Sequence, residues 1–181
     1  MMFVENMETE RLRLRRLTEN DLDALTNYFN TSNATVYLNI NTNVEPRKLA
    51  EDWLTMQIRR YQAAQCGLHA IELKTTGEMI GQSGLVWQFV DGIPKWEVGY
   101  HLMPRYWGNG YATEAAMACR DFCFHNEMAE TLISLIHPQN AKSVAVALRN
   151  GMTYWKQTSF KGNDCNVFRI RREDWETLLE S

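Results

Sequence analysis

The sequence predicts a mixed α/β fold, a single sheet with helices on both faces. Three observations predict it. Segments with period-two alternation recur from Arg11 to Arg172, and stretches with helical spacing interrupt them repeatedly. Short turn signals at 75–78, 91–94 and 161–164 join neighbouring strands. Between Lys95 and Asn126 a strand leads through a loop with two glycines into a strong helix.

Each element has its own signal. Arg11–Arg15 alternates as a strand with one apolar face, its arginines on a solvated side. Thr18–Asp21 fits a capping box, and Leu22, Leu25, Tyr28 and Phe29 follow at helical spacing. Asn30–Asn43 is rich in Asn and Thr and reads as a loop or a short broken helix. Pro46 suits the first turn of a second helix. That helix should carry Leu49, Trp53, Met56 and Arg60 on one face, with Leu54, Ile58 and Tyr61 beside it, and end at Gly67. Leu68–Lys74 and Met79–Val90 are strands around the turn at 75–78, and Gly81 and Gly84 mark a bulge or a close backbone approach. Lys95–Leu102 is the next strand, and a helix runs from Ala112 to about Asn126. Thr131–His137 is a strand stopped by Pro138, and Asn140 caps a helix to Arg149. Met152–Phe160 and Cys165–Arg172 form a hairpin, and Asp174 caps a short last helix.

Composition bounds the function. The chain has 181 residues, which suits one domain with a real core. A net charge of −3 gives no general pull toward nucleic acid or an anionic membrane. No apolar run approaches the ~18 residues of a membrane span. Residues 1–10 lack an apolar signal-peptide core, so a cytoplasmic location is expected. The four cysteines form no C-x-x-C pair, and Cys119 and Cys123 read as small buried residues, with no metal site expected.

Arg105–Ala115 organises the chemistry. A strand, a glycine loop and a helix N-terminus make an anion site. The first-turn N–H groups have no helical partner, and the macrodipole adds partial positive charge. Arg105 can add a charge-assisted hydrogen bond. No Lys follows Gly110, which disfavours a Walker A loop, and Thr113 stands where a dinucleotide fingerprint needs a third glycine. On these residues alone an ordinary strand–helix turn fits as well.

Several segments agree with one family. Glu8–Arg15 resembles the family's E-T-E-R-L-x-L-R start, and Thr76–Gly81 its T-G-E-x-I-G hairpin. Glu97–Tyr100 resembles its E-I-G-Y strand, and Gly108–Ala115 its G-x-G-Y-A-T-E-A loop and helix. Pro138, Asn140 and Ser143 fit P-x-N-x-x-S, and Leu148–Met152 resembles L-x-x-G-F with Met152 for Phe. In these segments the chain resembles the GNAT acetyltransferases of the RimJ/RimL type, the ribosomal-protein N-terminal acetyltransferase group. The resemblance implies a mixed, mostly antiparallel sheet of about seven strands with a splayed parallel pair. It implies acetyl-CoA as cosubstrate, bound by Arg105, Gly108, Asn109, Gly110, Tyr111 and Ala112 at its diphosphate. Backbone contacts at His101, Leu102 and Met103 would take the pantetheine and the carbonyl. Asn140 and Ser143 would sit at the cofactor, Ser143 near the thioester sulfur. Family members that use a Tyr four residues before the helix-ending glycine have Ala147 in this chain.

Acetyl transfer needs a polarised carbonyl, a neutral amine and a stabilised leaving thiolate. Glu97 is the candidate base, acting through a water, because it lies about five residues before the carbonyl-binding strand end. A solvent-facing strand glutamate is the plainer reading. Ser143 is the candidate for the thiolate. A covalent route through Cys119 or Cys123 lacks an aimed base. The acceptor should meet Asn27–Asn43 and the hairpin around Asn163. This surface is polar but not acidic, which suits a peptide N-terminus or a small amine better than a polyamine. The expected protein is an N-acetyltransferase, monomeric or a homodimer. The rivals are a small-molecule amine or antibiotic acetyltransferase and a non-catalytic CoA-binding domain.

Overall fold

A computed structural model describes residues 6–31, 33–38, 40–41, 43–63 and 65–180. Met1–Glu5 and positions 32, 39 and 42 of the Asn/Thr-rich stretch lie outside the described residues. The strands are β1 (Met7–Glu8), β2 (Leu12–Arg15), β3 (Cys66–Leu73), β4 (Met79–Val90), β5 (Ile93–Leu102), β6 (Thr131–Ile136), β7 (Thr153–Phe160) and β8 (Asn163–Arg171). The helices are α1 (Leu22–Thr31), α2 (Pro46–Gln62), α3 (Tyr111–His125), α4 (Ala141–Arg149) and α5 (Arg172–Leu179). The sheet has eight strands in the order β1-β2-β3-β4-β5-β6-β8-β7. Only β5 and β6 run parallel. The strand beyond the expected seven is β1, two residues long and too short to show a period.

The alternation of β2 is realised. Leu12 and Leu14 are fully buried, while Arg13 is exposed. α1 and α2 cover one face with Leu25, Tyr28, Phe29, Ala50, Leu54 and Tyr61. α3 covers the other face with Ala115, Ala116, Cys119 and Cys123 over Ile71, Ile80, Leu85 and Val98.

Four expectations are corrected. The inner stripe of α2 is Ala50, Leu54, Gln57 and Tyr61, whereas Met56 and Arg60 stay partly exposed. Gln57 was passed over because it is polar. It is fully buried, and its Oε1 accepts from Leu68 N at 2.9 Å. Gly67 does not end α2 but lies in β3, and a Cβ there would stand 2.9 Å from Gln57 Oε1. Asp174 is not the cap of α5; Arg171 holds that position, and its N–H donates to Asp174 Oδ2 at 3.3 Å. The stretch after α1 is a short 3₁₀ helix, Asn33–Tyr37. The strands β5 and β8 also begin two residues earlier than their turn signals suggested.

Gly81 and Gly84 answer to close backbone approach. A Cβ at Gly84 would stand 2.1 Å from the Gly67 carbonyl oxygen, and one at Gly81 would stand 2.3 Å from that of His101. The β3–β4 register also shifts beside Gly81.

The entry to α1 is held by Asp21, which is almost wholly buried. Its Oδ2 accepts from Thr18 N at 2.8 Å, and Arg15 grips both oxygens at 2.7 and 2.8 Å. Burial raises its pKa, but the Arg15 and Thr18 hydrogen bonds outweigh that and hold it below the ordinary 3.8. A depressed folded pKa stabilises above the unfolded value and stops doing so as pH falls through the folded value. Asp21→Ala should therefore cost about 3 kcal/mol at pH 7, because it leaves Arg15 half-matched. Urea titrations should show that cost shrinking below pH 3.8; a cost that does not change with pH would assign the loss to packing.

Candidate active site

The site begins where the sheet opens. β5 and β6 pair at Trp96–Leu132 and Glu97–Ile133 and nowhere beyond. Past that point side chains take the places of ladder partners. Ser134 Oγ donates to Val98 O at 2.8 Å, and Leu135 N donates to Glu97 Oε1 at 3.4 Å. Tyr100 reaches across and donates from its hydroxyl to Ser143 O at 2.9 Å. The expected splay is therefore present, with Tyr100, unforeseen from the sequence, bridging to α4.

The direction of each β5 amide follows from strand alternation. Met103 N donates to Ile80 O at 2.9 Å, toward β4. The amides of His101 and Met103 thus aim at β4, and those of Tyr100 and Leu102 aim at the gap. This corrects the expectation that all of His101, Leu102 and Met103 present free backbone donors. The Leu102 amide faces the gap, and Met103 is a buried packing residue. The His101 side chain lies against Trp53 and Tyr28, with ring centroids 5.5 and 5.6 Å away. Burial pushes its pKa down to about 4, so it is neutral at physiological pH.

Glu97 is the last β5 residue paired with β6. Its Oε2 accepts from Gln88 Nε2 at 3.0 Å. Burial raises its pKa; the Gln88 and Leu135 hydrogen bonds and the charges of Lys161 and Arg60 pull it partly back. Glu97 keeps some surface exposure, but the protein packed around its carboxylate removes enough water to favour the neutral form. The sequence singled out Glu97 and missed its surround, because Gln88, Leu135, Arg60 and Lys161 come from four other segments.

The glycine loop follows β5 through a 3₁₀ turn, Pro104–Tyr106. Gly108 and Gly110 have φ of 81° and 80°, the left-handed region that a side chain resists. Space is open where a Cβ of Gly108 would stand. Gly110 precedes α3 with no side-chain cap, and Glu114 N donates to Gly110 O at 3.0 Å, which opens the helical ladder. The N–H groups of Tyr111, Ala112 and Thr113 thus lack helical acceptors, as any helix start does. Two loop side chains are occupied otherwise than expected. Arg105 pairs with Glu78, which also accepts from the Tyr106 hydroxyl, so its charge is already matched. Asn109 braces the loop, donating to Tyr106 O and Trp107 O at 3.2 Å each. Glu114 fixes the helix start to the N-terminal strands, accepting from Thr9 Oγ1 at 2.5 Å and Arg11 Nε at 2.6 Å. Trp107 Nε1 donates to Leu102 O at 2.9 Å, and Lys142 Nζ sits 3.8 Å from the Trp107 ring centroid.

At α4, Asn140 Oδ1 caps the helix by accepting from Ser143 N at 3.1 Å. Its amide nitrogen has no hydrogen-bond partner among the described residues. Ser143 Oγ has no hydrogen-bond partner among the described residues. Tyr37 reaches the same corner, its ring 5.2 Å from that of His137 and its hydroxyl 3.5 Å from Gln139 O. Cys119 and Cys123 are fully buried, and burial pushes both thiols up to about 12. Neither is a nucleophile at neutral pH.

Residues 11–153 match the family model described as acetyltransferase (GNAT) domain. The chain belongs to the GNAT acetyltransferases. It is an acetyl-CoA-dependent acyltransferase by that membership. A Bacillus subtilis relative, the uncharacterized protein YkkB, is 34% identical over 149 residues, 82% of this chain and 85% of that protein. A solved acetyltransferase from Agrobacterium tumefaciens is 32% identical and superposes with a TM-score of 0.76, covering 91% of this chain and 93% of the other. RimL, the ribosomal L7/L12 α-N-protein acetyltransferase solved in complex with coenzyme A, has a TM-score of 0.74 at 19% identity, over 92% of this chain and 97% of its own. That likeness is one of fold.

The residues present fit the family's cosubstrate. The uncapped helix start and the open space at Gly108 suit a diphosphate. Gly110→Asp should weaken CoA binding at least tenfold, about 1.4 kcal/mol, by calorimetric titration. Gly92→Asp, at a similarly left-handed glycine in the β4–β5 turn, is the control and should leave affinity unchanged. Equal losses in both variants would remove the loop from the binding site.

Proposed function

We propose that this GNAT enzyme transfers acetyl from acetyl-CoA to a primary amine, the α-amine of a peptide N-terminus, by direct attack in a ternary complex. The observation that carries this reading is the place of Glu97, a buried carboxylate at the point where β5 and β6 part. Acetyl-CoA supplies the thioester. The chain's residues then do the rest. The Leu102 amide, facing the gap, serves as donor to the carbonyl oxygen. Glu97 takes the proton from the incoming ammonium. Five strand residues separate Glu97 from Leu102, roughly 16 Å at ~3.3 Å each, so the proton passes through water rather than by direct contact. As the C–S bond breaks, Ser143 Oγ, whose residue is held by Asn140 on its N–H and Tyr100 on its carbonyl, donates a hydrogen bond to the departing thiolate and relays to it the proton that the newly bonded nitrogen loses.

The choice of a peptide amine over a polyamine rests on charge. The cations acting on Glu97 are Lys161 and Arg60, and a polycation would meet both.

Glu97→Gln should lower kcat/KM about 100-fold at pH 7, with less loss at high pH, where the amine is already neutral. In the unaltered enzyme the acid limb of the pH profile should lie above the ordinary glutamate value of 4.5, because burial raises that pKa; the variant should lack the limb. A loss that is the same at every pH would make Glu97 structural. Ser143→Ala should lower kcat about tenfold and leave CoA affinity intact, by stopped-flow and calorimetry; unchanged kcat would remove Ser143 from the reaction. CoA binding without turnover on any amine would replace the enzyme by a CoA-binding domain.

A further inference from the structure

The amine has to reach the thioester carbonyl, and the Leu102 amide marks where that carbonyl lies. Glu97 stands five strand residues behind, roughly 16 Å at ~3.3 Å each, so it cannot aim the nucleophile. A nearer group has to. The parallel register pairs Glu97 with Ile133, the last rung of the ladder. Carried four residues further on each strand, past the parting, it sets His101 and His137 on the two lips of the opening. By alternation both lie on the face that carries Glu97. The ring contacts agree: His101 meets Tyr28 of α1 and Trp53 of α2 at 5.6 and 5.5 Å, and His137 meets Tyr37 at 5.2 Å.

The two imidazoles differ in what they leave open. His137 Nδ1 already accepts from Gln139 N at 3.2 Å. His101 Nδ1 is buried and has no hydrogen-bond partner among the described residues. The indole N–H of Trp53, whose ring touches His101, donates instead to Gln82 Oε1 at 2.9 Å. Gln82 is the β4 residue directly opposite His101. A buried polar atom without a partner is uncommon in a native fold and calls for a bound group to complete it. The ring is neutral, so one of its nitrogens holds a lone pair. With the ring proton on Nε2, Nδ1 is the acceptor; the other tautomer would bury an N–H with nothing to receive it.

We propose that His101 Nδ1 accepts a hydrogen bond from the acceptor amine and so points the nitrogen lone pair at the carbonyl held by Leu102. This rests on the reading above that the acceptor reaches the opening from the Glu97 face. The imidazole stays neutral throughout. The proton lost before attack still passes through water to Glu97, and the one lost after attack still goes to the thiolate by way of Ser143. A primary amine meets both demands, because one N–H stays on His101 while the other leaves as the amide forms. Tyr28 and Trp53 surround His101 with rings rather than carboxylates, and such a dry setting favours the neutral, nucleophilic amine over the ammonium. Holding the nitrogen in line with the carbonyl is the part of the barrier that orientation lowers.

The test compares the full chain with His101→Asn and His101→Leu, using acetyl-CoA and the tripeptide amides Ala-Asn-Ala and Ser-Asn-Ala together with ethanolamine. The fastest of these acceptors is carried to the variants. Asn places its Oδ1 near the position of Nδ1, whereas Leu fills similar space without an acceptor. CoA affinity and thermal midpoint are read on each variant to establish that it is folded. His101→Leu should lower kcat at saturating acetyl-CoA about tenfold, and His101→Asn should stay within about threefold of the unaltered enzyme. A ring that only packs predicts the opposite order, because Leu suits an aromatic surround better than an amide does. Leu as fast as Asn, or faster, therefore overturns the contact and leaves the transferase standing. Nitrogen NMR of the isotope-labelled, unaltered enzyme decides the matter should a variant lose its fold. In the dead-end complex with CoA, adding the acceptor should move the Nδ1 resonance of His101 upfield; a resonance that stays in place overturns the contact. No turnover on any of the three amines, with CoA still bound, overturns both the contact and the transferase.

Discussion

The structure depends on a ladder that stops. β5 and β6 exchange partners at two positions and then part. In an ordinary sheet the amides beyond would be paired and unavailable to a ligand. Here Ser134, Glu97 and Tyr100 satisfy part of the exposed backbone with side chains, so the gap is stable without being closed. Everything assigned to chemistry borders this gap. Glu97 is at its root, Leu102 and the glycine loop are at one lip, and Asn140 and Ser143 are at the other.

The two faces of the sheet divide the work. α3 seals one face with small residues, Ala115, Ala116 and Cys119, which lets the helix lie close enough for its start to meet the end of β5. α1 and α2 cover the other with aromatic rings, and Tyr28, Phe29 and Trp53 pack edge to face beside His101. Glu97 and His101, two alternations apart, share that second face. The imidazole is neutral, and burial pushes the Glu97 carboxyl up from its ordinary value.

Much of this was legible in the chain. Period-two alternation located β2 through β8 to within a few residues, and the capping signals at Thr18 and Asn140 were real. The errors have physical causes. Gly67 looked like a helix stop because glycine so often ends helices, but there it serves close contact between β3 and α2. Gln57 looked like surface because it is polar, yet it is buried to hold Leu68 N. β1 is too short to have a period. Within the site, the glycine turn and the Asn140 cap follow from local spacing. Arg105, Asn109 and Met103 were assigned by motif alone, and their actual partners, Glu78, the loop carbonyls and Ile80, are set by tertiary neighbours that spacing cannot reveal. The Tyr100 bridge and the Gln88 contact went unnoticed for the same reason.

The indole of Trp107 has a mechanical meaning. Its nitrogen is bonded to the end of β5, its backbone belongs to the loop before α3, and its ring carries the Lys142 ammonium from α4. Strand, loop and helix are therefore pinned at a single hub, like three spokes. A shift of either lip would have to break one of these two contacts, so both resist a change in the width of the opening.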